Sequence, residues 1–268
     1  MVSPSNHRGN PVYPIDLTGR NAVIFGVAND RSIAWAIART LADAGARIAL
    51  TYQNDRLKSR VARLAETLDD ALIFPCDASD DDQIQAVFEG VQAEMGSLSV
   101  LVHSIAFANR DDLAGRLADT GRDGFRLALE ISAFTLLPMV RHAAPLMTDG
   151  GSVIAMTFHA SSRVYPGYNV MGTAKAALEH EIRQLAYEYG GDNIRVNAIS
   201  AGPVDTLAAR GISGFLDMRR THAEKAPLGR NITADEVANT ALFLCSDLSS
   251  GVTGTVLPVD AGYHIMAV

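Results

Sequence analysis

Seven short apolar runs recur along the chain, and most are followed by a segment with helical periodicity. They are NAVIFG (21–26), RIALTY (47–52), ALIFPCD (71–77), SVLVHSIA (99–106), GSVIAMTF (151–158), NIRVNAIS (193–200) and GTVLPVDAG (254–262). No Asn-Gly or Asp-Gly pair joins one run directly to the next, so hairpins are not signalled. Between the runs lie SIAWAIARTLADAGA (32–46), NDRLKSRVARLAETL (54–68), DDQIQAVFEGVQAEMG (81–96) and a long helical region from Arg122 to about Met147. Helices beginning at YNVMGTAK (168–175) and TADEVANTALFLCSD (233–247) complete the set. Strands rich in Val, Ile, Leu and Ala with little alternation are what a parallel sheet covered on both faces requires. The pattern predicts an α/β fold with a doubly wound parallel sheet.

At 268 residues, 48% apolar and 20% charged, the chain can bury a sizeable core. It reads as one domain over 16–268 behind a loose arm, 1–15, whose Pro, Asn, Ser and Gly content lacks an apolar signal core. No apolar run approaches the roughly 20 residues that span a bilayer, so no membrane role and a cytoplasmic setting are expected. Two distant cysteines, Cys76 and Cys245, indicate neither a disulfide framework nor a metal site. A net charge of −7 argues against nucleic acid as a partner. One local excess runs the other way: Arg210, Arg219, Arg220, Lys225 and Arg230 stand against Asp217 and Glu224. Solvated surface is the ordinary reading of such a stretch.

In a doubly wound sheet, ligands bind at the carboxyl ends of the strands. The first run ends at Gly26 in GVANDRSIA, where a glycine lets backbone approach a phosphate and Ser32 is placed to cap the next helix. No second or third glycine follows, so a plain strand-to-helix turn is an equal reading. After the second run Gln53 is neutral and able to bond ribose hydroxyls, although Arg56 and Lys58 follow closely. Asp77 could accept from an adenine amino group or cap the helix ahead of it. In YNVMGTAK, Tyr168 and Lys175 stand seven residues apart. On one helix that spacing puts them about 20° apart in azimuth and about 10 Å apart along the axis, on one face.

Together, GVANDRSIA, TYQNDRLK, CDASDD, HSIAFA, YNVMGTAK, RVNAISAGPVDTLAA and FLCSDLSSGVTG…VDAGY resemble, from about Asp16 to the C-terminus, the NADH-dependent enoyl-acyl-carrier-protein reductases. That family is a divergent branch of the short-chain dehydrogenase/reductases. The resemblance implies a Rossmann-type subunit with seven parallel strands, usually in a homotetramer. It also implies reduction of the trans-2 double bond of enoyl thioesters in fatty-acid elongation. It implies that Gly26, Ser32 and Ile33 line the pyrophosphate, and that Gln53 faces the adenosine ribose. Asp77 and Ala78 would meet the adenine and Ile105 the sugar beside it; Val204 and Thr206 would hold the nicotinamide and its phosphate. Lys175 would bind the nicotinamide ribose, Tyr168 would be the catalytic phenol, and Ala108 and Phe158 would touch the substrate. TLAARGISGFLDM would belong to a mobile lid over about 204–226, with Gly211 and Gly214 giving it freedom. NADH is expected rather than NADPH.

Within this resemblance, hydride would reach the β-carbon, and the Tyr168 hydroxyl would steady the charge left on the thioester oxygen. The charge of Lys175 would favour negative charge near Tyr168. Phe107, Phe158 and Phe215 could form an apolar slot. Related carbonyl reductases carry a serine about 13 residues before the tyrosine, where this chain has Ala155. Many enoyl reductases carry a second tyrosine where this chain has Phe158, beside His159, a possible replacement proton donor. The alternatives are a carbonyl reductase or a catalytically retired NAD-binding partner. The thioester could be carried by acyl carrier protein or coenzyme A. An acidic carrier would suit the basic excess near the lid, although Ser213, Leu216 and Asp217 stand where some relatives have basic residues.

Overall fold

A computed structural model of the chain describes residues 15–267 except Ala208 and Ser213. Apart from Ile15, the expected arm falls outside these residues. Each apolar run contains a strand: β1 (Asn21–Phe25), β2 (Arg47–Tyr52), β3 (Leu72–Pro75), β4 (Val100–His103), β5 (Gly151–Thr157), β6 (Ile194–Ala201) and β7 (Val256–Val259). They form one sheet in the order β3-β2-β1-β4-β5-β6-β7, every neighbouring pair parallel. The order reverses between β1 and β4, where a crevice opens at the carboxyl edge of such a sheet.

The connecting helices are α1 (Ile33–Asp43), α2 (Asp55–Ala65), α3 (Asp81–Met95), α4 (Arg110–Leu113), α5 (Arg122–Leu129), α6 (Leu136–Ala143), α7 (Asn169–Tyr189), α8 (Phe215–Lys225) and α9 (Ala234–Cys245). None of those described is long and apolar enough to cross a membrane. Two cores result. Ala22 and Ile24 of β1 pack with α1, α2 and α9, whereas Val23 and Phe25 pack with α3, α6 and α7. Successive side chains of a strand point to opposite faces, so a sheet covered on both faces is apolar at most positions. Each fully buried Ile or Phe stabilises the fold by about 1.5–3 kcal/mol.

The long helical region is not one helix. A π-helical turn, Glu130–Phe134, separates α5 from α6. Pro138 offers no N–H to the carbonyl four residues back, and just ahead of it the Thr135 N–H reaches five residues back to Glu130 O at 3.2 Å. The sequence patterns also passed over α4, a single turn.

Candidate active site

Because every strand runs the same way, the residue after each strand lies at one edge of the sheet. Gly26 follows β1, Gln53 β2, Asp77 β3, Ile105 β4, Phe158 β5 and Val204 β6. The sheet therefore gathers, along one edge, candidates spread over most of the sequence.

Gly26 has φ +101°, and a Cβ built on it would fall within the carbonyl of Ser104, just past β4. The glycine is thus required by the meeting of β1 and β4 themselves, in addition to any phosphate approach. Ser32 occupies the N-cap position of α1, but its hydroxyl does not cap that helix. Its Oγ instead accepts from the backbone N–H groups of Ala28 and Asn29, both at 3.1 Å, and so braces the loop from inside. The first turn of α1, opened by Ile33, carries no acidic side chain. Its free N–H groups and positive dipole end suit an anion.

Gln53 is exposed. Asp77 does not cap α3: Asp80 does, accepting from Asp82 and Gln83 N–H. Asp77 holds the turn below it, accepting from the Ser79 hydroxyl at 2.8 Å and N–H at 3.1 Å. Ala78 beside it is buried. Ile105 leans on the core under β4, and Ala108 is half-buried. The loop carrying Ala108 is fixed by a residue the sequence did not single out. Ser132, in the π turn, accepts from Phe107 N–H at 2.9 Å and donates to Phe107 O at 3.1 Å. Nothing in the local sequence pattern marks that serine.

Helix α7 begins at Asn169, so Tyr168 is its N-cap residue and not its first helical one, with φ −121°. The Tyr168 carbonyl still accepts from Gly172 N–H at 3.0 Å, which holds the tyrosine on the first turn. The phenol packs on Phe158, ring centroids 5.0 Å apart, and Phe158 packs in turn on Tyr165 at 4.7 Å. Burial pushes the phenol's pKa up, leaving a neutral O–H donor.

Lys175 is buried and donates from Nζ to Met156 O at 2.8 Å. Burial pushes its pKa down to about 8, partly countered by Glu179. Glu179 is itself held by the Thr157 hydroxyl at 2.8 Å. Near Lys175 lies His103 at the end of β4, whose pKa is lowered to about 3 by burial and then by the Lys175 charge. Thr135 donates its hydroxyl to Ile131 O at 2.9 Å, so the 2.8 Å contact with His103 must be Nε2–H donating to Thr135 Oγ1. This neutral histidine props β4 and is not a proton donor.

Val204 packs against the core, and Thr206 Oγ1 accepts from Ala209 N–H at 3.1 Å. Of the three phenylalanines, one touches the phenol. Phe158 packs on Tyr168, Phe107 is 50% exposed, and Phe215 is buried at the start of α8. His159 Nδ1 meets the Tyr165 hydroxyl at 3.2 Å. The basic excess is largely paired: Arg210 and Arg219 face Asp205, Arg220 faces Asp217, and Arg230 faces Glu236. Gly214 has φ +74° with open space around it, whereas Gly211 has no positive φ; Ser213 lies outside the described residues.

A doubly wound sheet with a glycine turn after its first strand and a Tyr–Lys pair beyond its fifth defines a Rossmann-type reductase subunit. The model of the family described as enoyl-(acyl carrier protein) reductase matches residues 26–264. The chain belongs to that family. It is 51% identical over 255 residues to the enoyl-[acyl-carrier-protein] reductase [NADH] FabI of Nostoc sp., spanning 94% of this chain and 99% of the relative. Identity to the Bacillus subtilis enzyme of the same description is 49%, over 94% of this chain and 98% of the relative. The Bacillus cereus enoyl-acyl carrier protein reductase, solved with NADP+ and indole naphthyridinone, superposes with a TM-score of 0.92. It is 49% identical, over 94% of this chain and 99% of that one. An Anaplasma phagocytophilum reductase solved with NAD gives 0.91 at 44% identity, over 94% and 96%.

Proposed function

We propose that the protein reduces the trans-2 double bond of enoyl thioesters with NADH, serving fatty-acid synthesis. The observation that carries this reading is the neutral Tyr168 phenol, mounted on the Phe158 ring at the carboxyl edge of the sheet, with the buried Lys175 one helix segment behind it. NADH supplies the hydride. The residues present fit it: Gly26 keeps side chains out of the turn, the first turn of α1 offers free N–H groups to a pyrophosphate, and Gln53 brings no charge to the ribose. Ser32 and Ile33 would hold that turn to the pyrophosphate, Asp77, Ala78 and Ile105 would border the adenosine, and Val204 and Thr206 the nicotinamide and its phosphate.

Lys175, fixed by Met156 O, keeps two further ammonium protons for the nicotinamide ribose hydroxyls. Tyr168 donates a hydrogen bond from its O–H to the thioester oxygen as charge collects there, and a proton taken up from solvent at the α-carbon completes the reduction. One such donor is commonly worth about 3 kcal/mol in the transition state. Phe158 supplies an apolar wall that excludes water, with Ala108 at the loop opposite. Residues 204–226 act as a lid. Ala155 lies wholly buried in β5 and has no hydroxyl to give, which disfavours a carbonyl reductase. Family membership supports a homotetramer in the cytoplasm, with the acyl group carried by acyl carrier protein or coenzyme A.

The test is NADH oxidation with crotonyl and longer enoyl thioesters on both carriers, with NADPH in parallel. Turnover with NADH preferred, and loss of it in Tyr168→Phe by about two to three orders of magnitude with NADH binding kept, is the expected result. Tight NADH binding without turnover of any enoyl or keto substrate would mark a retired binder instead. A clear preference for NADPH would overturn the role given to Gln53.

A further inference from the structure

Three loosely related parts of the chain meet in an open depression of about 500 Å³: the loop before α1 (Asn29, Asp30, Arg31), the outer face of α2 (Arg60, Arg63, Leu64) and the start of the proposed lid (Leu207, Arg210). Four guanidinium groups line it against the carboxylate of Asp30. Arg210 is taken up by Asp205. Among the described residues, Arg31, Arg60 and Arg63 have no carboxylate partner. All three are exposed. In a chain of net charge −7, a concave cluster of unpaired arginines has no stabilising role of its own, since like charges repel across it.

We propose that this depression docks the acidic surface of the protein that carries the enoyl group. The inference rests on the thioester-reductase reading and adds to it a surface for the carrier. An acidic carrier and an acidic enzyme repel at long range, so productive encounter needs a local patch of opposite sign. The basic residues counted along the lid provide little of one, because Arg210, Arg219, Arg220 and Arg230 are already paired with acids, which leaves Lys225 alone. Arg60 and Arg63 provide it. Three residues apart on one helix face, they lie about 4.5 Å apart along the axis. That step matches carboxylates spaced by one turn on a facing helix, each able to take a guanidinium in bidentate fashion. The depression is open to solvent, which favours a protein surface over an enclosed phosphate. Leu207 and Arg210 of the proposed lid border it, so a docked carrier would stand beside the segment proposed to cover the acyl group.

The experiment compares the intact enzyme with Arg60→Glu/Arg63→Glu and the milder Arg60→Ala/Arg63→Ala, each checked by thermal melting. KM and kcat are measured for an enoyl-carrier-protein, the same enoyl group on coenzyme A, NADH and NADPH. Carrier binding is read separately by calorimetry. KM for the carrier substrate should rise about tenfold in the Glu pair with kcat unchanged. The coenzyme A and nucleotide constants should stay put, and the salt dependence of carrier binding should flatten. An unchanged carrier KM and affinity would overturn the docking site. A rise confined to NADPH or to coenzyme A would overturn it too, by showing a pocket for a nucleotide phosphate. Absence of turnover on both thioesters by the intact enzyme would sink the thioester reading, while calorimetry would still decide the docking.

Discussion

Asp205 grips Arg210 at two points, Oδ1 accepting from Nε at 2.7 Å and Oδ2 from Nη2 at 2.9 Å. Arg219 of α8 approaches the same carboxylate at 3.8 Å. One side chain just past Val204 therefore ties both the first turn after Thr206 and the helix beyond it. Hydrogen bonding to Arg210, ahead of the neighbouring charges, holds the Asp205 carboxyl below the usual carboxylate range, so the tie persists well into acid. Asp205→Asn keeps the shape and removes the charge. Substrate KM should rise about two- to fivefold, the yield of an exposed ion pair. Amide exchange over 209–225 should quicken, with kcat little changed. Unaltered exchange there would show that the pair does not restrain this segment.

Lys175 predicts a conflict between stability and activity. Its pKa falls from 10.5 to about 8 on burial, whereas the unfolded chain keeps the ordinary value. The fold therefore carries a penalty of about 3 kcal/mol below pH 8, which fades as pH climbs from there towards the unfolded value. Lys175→Met removes the charge but leaves Met156 O without its donor, at a cost of about 1 kcal/mol. Urea unfolding at pH 7 should show a net gain of about 1–2 kcal/mol, shrinking at pH 10, while nucleotide affinity and turnover collapse. In the unmodified protein, nucleotide affinity should weaken as pH rises through about 8, where the ammonium loses its proton. A less stable variant at pH 7 would mean that the buried cation is compensated by more than Met156 O.

The strands were legible because each is apolar on both faces, a pattern no short loop maintains. The edge of the site was legible for the same reason: Gly26, Gln53, Asp77, Ile105, Phe158 and Val204 each follow such a run, and parallel strands bring them to one side. What escaped depended on partners far away in sequence. Ser132 bridges to Phe107, Thr135 to His103, and Gly26 meets Ser104. Nothing at either end of these pairs announces the other. Charge counting along the chain could not show that Arg219 and Arg230 are neutralised in space, or that Arg31 meets Arg60 and Arg63 of α2. The first turn of α7 was misplaced by one residue, the scale on which helix ends are set by local backbone choice.

Gly26→Ala tests whether the turn after β1 is needed for folding or only for the nucleotide. With φ at +101°, an alanine is strained before any contact is considered, and its methyl would overlap the Ser104 carbonyl. Backbone must move, since neither group can swing aside. The variant should lose at least about 3 kcal/mol of stability, seen as a lower urea midpoint, even without nucleotide. A variant of normal stability that merely binds NADH weakly would confine the glycine's role to the ligand.

Glu181 offers the last test, on the side chain of α7 that the site does not use. It is partly buried, its Oε2 has no hydrogen-bond partner among the described residues, and burial pushes its pKa from 4.5 up to about 7. The folded chain thus holds its proton more tightly than the unfolded one. Stability from this group is full below the unfolded value, and is lost as pH rises towards 7 and beyond. Glu181→Gln keeps the size and cannot ionise. At pH 8 it should be more stable than the unmodified chain by about 1–2 kcal/mol, a figure reduced for the part of the carboxyl that reaches solvent. At pH 4 the two should agree within about 0.5 kcal/mol. Denaturant curves at both pH values decide the matter. A glutamine variant that is weaker at pH 8 would require a cation against Glu181, one that the described residues do not provide and that a second copy in the proposed tetramer would have to bring.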